Sequence, residues 1–349
     1  MNPTPPTDIA SLLDTASPAL TVGEVETIAW EIFGLNAQAQ ELAGERDRNY
    51  HLREGQTDYV LKVSNPAESR PVIDFQTRAL LHIAQVDPEL PVPRIRPTLA
   101  GSSEWVFDGD KPRVVRVLSF LPGEPFHRVP PGLELRQNLG RLAARLDLAL
   151  RGFFHPAAGH ELMWDIKHAS RARDLLVHID HERKRALAQR CLDNFEAHAL
   201  PLLPRLRAQV IHNDLNPHNV LVAPDASHRI AGIIDFGDMV HAPLINNLAV
   251  AAAYQLAPTG HPLETAAQMI AAYHEVLPLE PVELNILYDL IMTRMVLTVA
   301  ITGWRAARYP ENASYILRNN QRAWEGLERC EDLSRTDAQA FLRRACQTE

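Results

Sequence analysis

Near residue 121 the hydrophobic period of this chain shifts from mainly strand-like to mainly helical, and that shift constrains the fold more than any other feature. In Asp58-Tyr59-Val60-Leu61-Lys62-Val63, apolar and polar residues alternate as in a half-buried strand. Trp105-Val106-Phe107 and the run 113–120 read as two more strands, joined by the turn Asp108-Gly109-Asp110. One helix is expected here, over Val72 to Ala84, ended by Pro88, Pro91 and Pro93. After Pro131 the spacing becomes helical: Leu135, Leu139, Leu142, Ala143, Leu146 and Leu150 share a face. A second helix is expected from Asp174 to His198, and helices again after Pro243. Leu121-Pro122-Gly123 is the breaker between the two regimes. The expectation is an α+β chain of two lobes: a loose segment over 1–20, an antiparallel-sheet lobe over 21–121 and a mainly helical lobe over 122–349. A cleft between two such lobes is a common place for a small molecule.

Short apolar runs inside the helical part frame two polar words. Val210-Ile211 leads into His212-Asn213-Asp214-Leu215-Asn216-Pro217-His218-Asn219, and the strand 230–234 leads into Asp235-Phe236-Gly237-Asp238. Asp214 and Asn219 stand five apart, the spacing of His-x-Asp-x-x-x-x-Asn in a phosphoryl-transfer loop. Phosphoryl transfer asks the protein to position a hydroxyl and neutralise phosphate charge. Asp214 is the candidate base or orienting group, and Asn219 offers an amide oxygen to Mg²⁺. Asp235, sixteen residues after Asn219 at the end of an apolar strand, is the candidate second metal ligand. Taken singly, an Asn-Asp-Leu-Asn-Pro run is a turn and Asp-Phe-Gly a weak tripeptide. Their order, separation and flanking strands make them one site. Zinc on His212, Asp214 and His218 would leave Asn219 and Asp235 unexplained.

Lys62 sits in a strand upstream, where a phosphate-binding lysine belongs; by itself it would read as an ordinary edge-strand lysine. The turn before it carries Gly44, Arg46 and Asn49, which can meet phosphate although no Gly-x-Gly-x-x-Gly is present.

A net charge of −8 argues against a nucleic-acid partner but leaves room for an anionic ligand. Three scattered cysteines suggest neither disulfides nor zinc and fit a reducing compartment. The start has no basic region before an apolar run. The longest apolar stretch, Leu284 to Thr302, is interrupted by Asp289 and Arg294. The expectation is a cytoplasmic protein without a membrane partner; oligomeric state is not legible.

These residues resemble the aminoglycoside phosphotransferase and choline kinase family of the protein-kinase-like fold, from about Ala43 to Trp324, and within it the hydroxylysine kinase group. The resemblance is carried by 44–50, 59–66, 115–123, Trp164-Asp165, 210–222 and 233–240. It implies a bilobal fold with a five-stranded sheet, and a hinge at Ser119, Phe120 and Leu121 that meets the purine. It also implies transfer of the γ-phosphate of GTP or ATP, with Mg²⁺, to a hydroxyl of a small amine. 5-Hydroxy-L-lysine is the first candidate; homoserine, choline, ethanolamine or an aminoglycoside are alternatives, and a non-catalytic nucleotide-binding scaffold is another. Two positions depart from the family: Gly44 stands where Ser is frequent, and Gln76, with Asp74 before it, stands where the lysine's Glu partner belongs.

A substrate with two ammonium groups and a carboxylate needs acids and a cation. Asp238 and Asp165 are the candidate acids, Trp164 a cover for an ammonium, and Arg294 the candidate carboxylate contact. Arg183-Lys184-Arg185 reads as an exposed charged face.

Overall fold

The computed structural model describes residues 20–42, 44, 46–107, 112–224 and 226–347. The expected loose segment, apart from Leu20, and the turn Asp108-Gly109-Asp110 lie outside the described residues. The chain divides into two compact units, Met1–Pro122 with His155–His160, and Gly123–Phe154 with Glu161–Glu349.

In the first unit, α1 (Val22–Phe33) starts at a capping box: Thr21 Oγ1 accepts from the Glu24 amide at 3.3 Å, and Glu24 Oε2 accepts from the Thr21 amide at 2.7 Å. Gly34 ends the helix at φ +68°, a conformation glycine adopts without penalty. Val25, Ile28, Ala29 and Phe33 pack into one core with Tyr50, Leu52, Leu61, Val115 and Val117 of the sheet. Full burial of such a side chain is worth about 1.5–3 kcal/mol. The strands are β1 (Gln38–Leu42), β2 (Arg48–Glu54), β3 (Thr57–Val63), β4 (Ile95–Arg96), β5 (Trp105–Phe107) and β6 (Arg113–Ser119), with α2 (Arg70–Val86) between β3 and β4. The order is β1-β2-β3-β6-β4 with β5 also on β6, antiparallel throughout. The sheet therefore has six strands rather than five among the described residues. Two short strands share one edge of β6: Ile95 and Arg96 pair with Leu118 and Val117, Trp105 to Phe107 with Val115 to Arg113.

The second unit opens with β7 (Glu124–Pro125) and α3 (Leu133–Ala149). The single helix expected over 174–198 is broken. Residues Ile166–His178 form 3-10 turns, Ile179 is extended, and α4 (Glu182–Asn194) begins afresh. Arg185 fills the break, its Nε donating to the Ile179 carbonyl at 3.0 Å. Then follow β8 (Ala208–Ile211), the hairpin β9 (Val220–Ala223) and β10 (Ala226–Ile233), β11 (Val240–Pro243), α5 (Ile245–Ala253), α6 (Glu264–Val276), α7 (Pro281–Arg308), α8 (Asn320–Arg329) and α9 (Arg335–Ala345). β8 pairs with β11, and β7 joins the hairpin through β9. α3 and α6 touch backbone to backbone at Gly140, where a Cβ would lie 2.1 Å from the Met269 carbonyl oxygen. Helix α7 is long and apolar enough to cross a membrane, but 94% of its apolar window is buried inside the protein. Met292, Met295 and Val299 are core. Arg183 and Lys184 pair with Glu331 and Glu328, so that basic run is spent on intramolecular ion pairs.

Candidate active site

The loop 212–219 is held from three sides. His212 is buried; its Nδ1 accepts from the Asp214 amide at 3.3 Å, which leaves Nε2–H to donate to the Ile234 carbonyl at 3.1 Å. Burial pushes the imidazole down to about 4, so it stays neutral. With both nitrogens occupied, His212 is a loop anchor and not a zinc ligand. Its ring stands edge-on to Phe236, centroids 4.7 Å apart, tying the two polar words together. Asn213 adopts φ 63°, the left-handed region that Asn tolerates, and its amide donates to Asn247 Oδ1 at 3.0 Å. Asn247 Nδ2 in turn donates to Asp147 Oδ1 at 2.7 Å, and Tyr273 donates its hydroxyl to Asp147 Oδ2 at 2.7 Å. None of these supports was expected from the sequence. Asp147 carried a signal: it is a carboxylate inside the apolar pattern 135–150.

Burial raises the Asp147 carboxyl to about 7. The folded state therefore binds a proton that the unfolded chain has released between pH ~4 and ~7, and stability from this group is lost across that window as pH rises. Asp147→Asn keeps an acceptor for Asn247 and removes the titration. The expected result is a variant whose unfolding midpoint, relative to the parent, rises between pH 5 and pH 8; a difference constant with pH would contradict it.

The Asp214 carboxylate is fully committed on one oxygen. Oδ2 accepts from Asn216 Nδ2 and Asn219 Nδ2, each at 2.8 Å; Oδ1 accepts from Arg294 Nη2 at 3.0 Å. A carboxylate has about four acceptor positions, so the remaining one lies on Oδ1 beside the guanidinium. Burial pushes Asp214 up to about 6, against the pull of Arg294. Asn216 escaped the sequence reading although it sits inside the loop.

Asn219 and Asp235 come together through the hairpin register. Val220 pairs with Ile233, and the next rung is the Ile234 amide donating to the Asn219 carbonyl at 2.9 Å. Asp235 follows directly, in the left-handed region at φ 63°, exposed, with Oδ1 accepting from the Gly237 amide at 3.3 Å. Asn219 Nδ2 is spent on Asp214, so its Oδ1 is the atom left for a cation. One amide oxygen and one carboxylate at a hairpin end suit Mg²⁺, which takes few protein ligands and completes its shell with phosphate and water.

Arg294, Trp164 and Asp165, each expected to meet the substrate, have partners within the protein. Arg294 is buried and pairs with Asp214, and its Nη1 donates to the Trp164 carbonyl at 3.1 Å. Trp164 accordingly covers the Arg294 guanidinium, 5.1 Å from its ring, rather than a ligand ammonium. Asp165 is fully buried, caps the 3-10 segment through the Lys167 amide at 3.0 Å and pairs with Lys167 Nζ at 2.9 Å. Arg294 is the one arginine within the apolar stretch 284–302, and its charge is met by an internal acid, Asp214. Asp238 is buried, and its charge reaches both Asp214 and Arg294.

In the first unit, Lys62 Nζ pairs with Asp47 Oδ2 at 3.5 Å. This corrects the expected partners. Gln76 is buried and accepts from Arg116 Nη2 at 3.2 Å, and Asp74 holds Arg78 and His155, each at 3.0 Å. Arg116 lies directly across from Lys62 in the sheet and brings a larger guanidinium to the same helix face. Asn49 is the cross-strand neighbour of Lys62 on the other side. A Cβ at Gly44 would sit 2.5 Å from the Asp47 carbonyl oxygen and 2.6 Å from Asn49 Nδ2, so this turn has no room for the serine of the family. The Arg46 carbonyl accepts from Asn65 Nδ2 at 3.3 Å. Ser119 ends β6, its hydroxyl accepting from the Arg94 amide at 2.9 Å; the Phe120 amide donates to the Asp58 carbonyl at 3.1 Å; Leu121 is half-buried.

The chain resembles known proteins in both sequence and fold. Hydroxylysine kinase of Bos taurus is 27% identical over 342 residues, spanning 91% of both chains. That of Danio rerio is 26% identical over 339 residues, spanning 93% of this chain and 95% of its own. Among solved structures, a microcompartment-associated aminopropanol kinase superposes with a TM-score of 0.66 at 19% identity, over 92% of this chain and 97% of that one. An amicoumacin kinase in complex with AMP-PNP and Ca²⁺ superposes with a TM-score of 0.63 at 14% identity, over 87% and 94%. The fold is protein-kinase-like, and the enzyme is a phosphotransferase. Residues 38–284 match the model of the phosphotransferase enzyme family, and the chain belongs to that family.

Proposed function

We propose that this enzyme transfers the γ-phosphate of GTP or ATP to the hydroxyl of a hydroxylated amino acid or amino alcohol, with 5-hydroxy-L-lysine as the preferred acceptor. The observation that carries the reading is the Asp214 carboxylate. One oxygen is saturated by Asn216 and Asn219, and the other keeps a single acceptor position beside Arg294. The acceptor hydroxyl donates to that position on Oδ1 and gives up its proton there as its oxygen bonds the γ-phosphorus and the bond from that phosphorus to the bridging oxygen of the departing nucleoside diphosphate breaks. Because Arg294 stabilises the carboxylate, Asp214 orients the hydroxyl more than it deprotonates it early, as a loose transition state requires. Asn219 Oδ1 and Asp235 hold Mg²⁺, which when bound neutralises phosphate charge. Lys62 is assigned to the donor phosphates, exchanging Asp47 for them, and Ser119 to Leu121 to the purine. The relatives named hydroxylysine kinase support the acceptor. The aminopropanol kinase supports a hydroxylated amine without a carboxylate as a second reading.

A panel of hydroxylysine, homoserine, aminopropanol, choline, ethanolamine and an aminoglycoside, each with ATP and with GTP, tests this by nucleoside diphosphate release. The highest kcat/KM is expected for hydroxylysine. Preference for another acceptor would replace the substrate, and Mg²⁺-nucleotide binding without transfer to any of them would make the chain a scaffold.

A further inference from the structure

A hydroxy amino acid presents a carboxylate, and the cation first expected to meet it, Arg294, is consumed by Asp214. A different cation near the loop is needed if the acceptor is an amino acid. Most arginines of the second unit are spoken for. Arg207 is held by Glu283, Arg173 by Glu196 and Asp193, Arg335 by Asp289, and Arg329 by the carbonyls of Ala257 and Gly260.

Like those of Arg151 and Arg205, the Arg322 side chain has no hydrogen bond, ion pair or ring contact among the described residues; it is exposed on α8, and its place in the fold is what sets it apart. Its position follows from the packing of that helix. Asn320 Nδ2 donates to Thr302 Oγ1 of α7 at 2.8 Å. A Cβ at Gly326 would touch Leu256 Cδ1 at 3.0 Å, and Arg329 Nη2 reaches the Gly260 carbonyl at 2.6 Å. The segment 254–260 thus runs alongside α8, and Arg322, one turn before Gly326, falls at its Tyr254 end. Tyr254 is the phenol beside Arg294, whose guanidinium holds Asp214. Arg322 and Arg294 therefore both lie within electrostatic reach of Tyr254, and Arg294 in turn holds the reacting carboxylate. Protein around the Arg322 side chain removes enough water to lower its pKa, with Glu325 and Tyr254 as the charged or polar groups that counter this. The planar fork of its guanidinium matches a carboxylate in a bidentate pair.

We propose that Arg322 binds the α-carboxylate of the acceptor and so selects amino acids over amino alcohols. This assignment rests on the hydroxy-amine kinase reading above.

The test compares 5-hydroxy-L-lysine with 1,5-diaminopentan-2-ol, the same acceptor without its carboxylate, in the parent enzyme, Arg322→Gln and Arg322→Lys. The readout is the ratio of kcat/KM for the two acceptors, which does not depend on the fraction of active protein. Loss of a charge-assisted hydrogen-bonded pair predicts that Arg322→Gln lowers this ratio by about 10- to 100-fold, through the KM of hydroxylysine. Arg322→Lys, which keeps the charge and loses the fork, is expected to fall between. A ratio unchanged in Arg322→Gln would overturn the assignment. So would a parent enzyme that uses both acceptors equally well, although the kinase reading would then stand. Transfer to neither acceptor by the parent would overturn both.

Discussion

Asp214→Asn is expected to lower kcat by about 10²- to 10⁴-fold, the usual contribution of a positioned acid–base group, while Mg²⁺-nucleotide affinity changes by less than about tenfold. Three contacts explain why the loss is large. Asn216 and Asn219 both point N–H donors at Oδ2, and Arg294 points one at Oδ1. A carboxylate accepts all three. An amide has one oxygen: placed toward Asn216 and Asn219 it turns its NH₂ on Arg294 and removes the acceptor position for the hydroxyl, and placed toward Arg294 it sets NH₂ against both asparagine donors. The substitution also disturbs Asn219, whose Nδ2 is oriented by Asp214; nucleotide titration with and without Mg²⁺ therefore accompanies the kinetics. Near-parental kcat would remove Asp214 from the reaction. A matching loss of nucleotide affinity would mean that its role is to hold Asn219 rather than to meet the hydroxyl.

The central chemistry was legible because it is local in sequence. Asp214 and Asn219 are five residues apart, and the strand before Asp235 announces where that carboxylate emerges. Hairpin register then brings Asn219 and Asp235 to one end without any long-range packing. The turn 44–49 was legible between two strands for the same reason, although β1 itself was not: Gln38-Ala39-Gln40-Glu41-Leu42 is a mostly polar edge strand with no apolar alternation. Helix α1 escaped the expectation of a single helix in this lobe, although Thr21 and Glu24 form a capping-box signature before an apolar run.

Side-chain partners across long separations were not legible. Asp147, Asn247 and Tyr273 lie on three helices, and nothing in their spacing joins them. The partner of Lys62 differs from the expected one because Arg116, on a strand 54 residues later, takes Gln76. Arg294 stands out for the right reason, as a charge in an apolar helix, but composition does not say whether such a charge meets a ligand or an internal acid. Only the fold shows that its partner is the loop carboxylate.

That pairing sets the last expectation: Arg294→Met destabilises the protein by about 3–5 kcal/mol, the cost of leaving one member of a buried ion pair without the other. The guanidinium side chain is only 3% exposed, and it bonds both the Asp214 carboxylate at 3.0 Å and the Trp164 carbonyl at 3.1 Å. Methionine fills the volume against Trp164 but leaves the carbonyl without its donor and the carboxylate without its counter-charge, close to Asp238. Urea unfolding of Arg294→Met, Asp214→Asn and the double variant measures the coupling. The double variant is expected to be more stable than the sum of the single changes implies, because removing the Asp214 charge relieves what the loss of Arg294 exposes. Additive changes would mean the pair contributes no coupling to stability. Arg294→Lys separates the charge from the geometry: the ammonium can reach Asp214 or the Trp164 carbonyl, but it lacks the fork that spans both. It should recover part of the stability while kcat stays well below parental, because the acceptor position on Oδ1 is shaped by where the guanidinium sits.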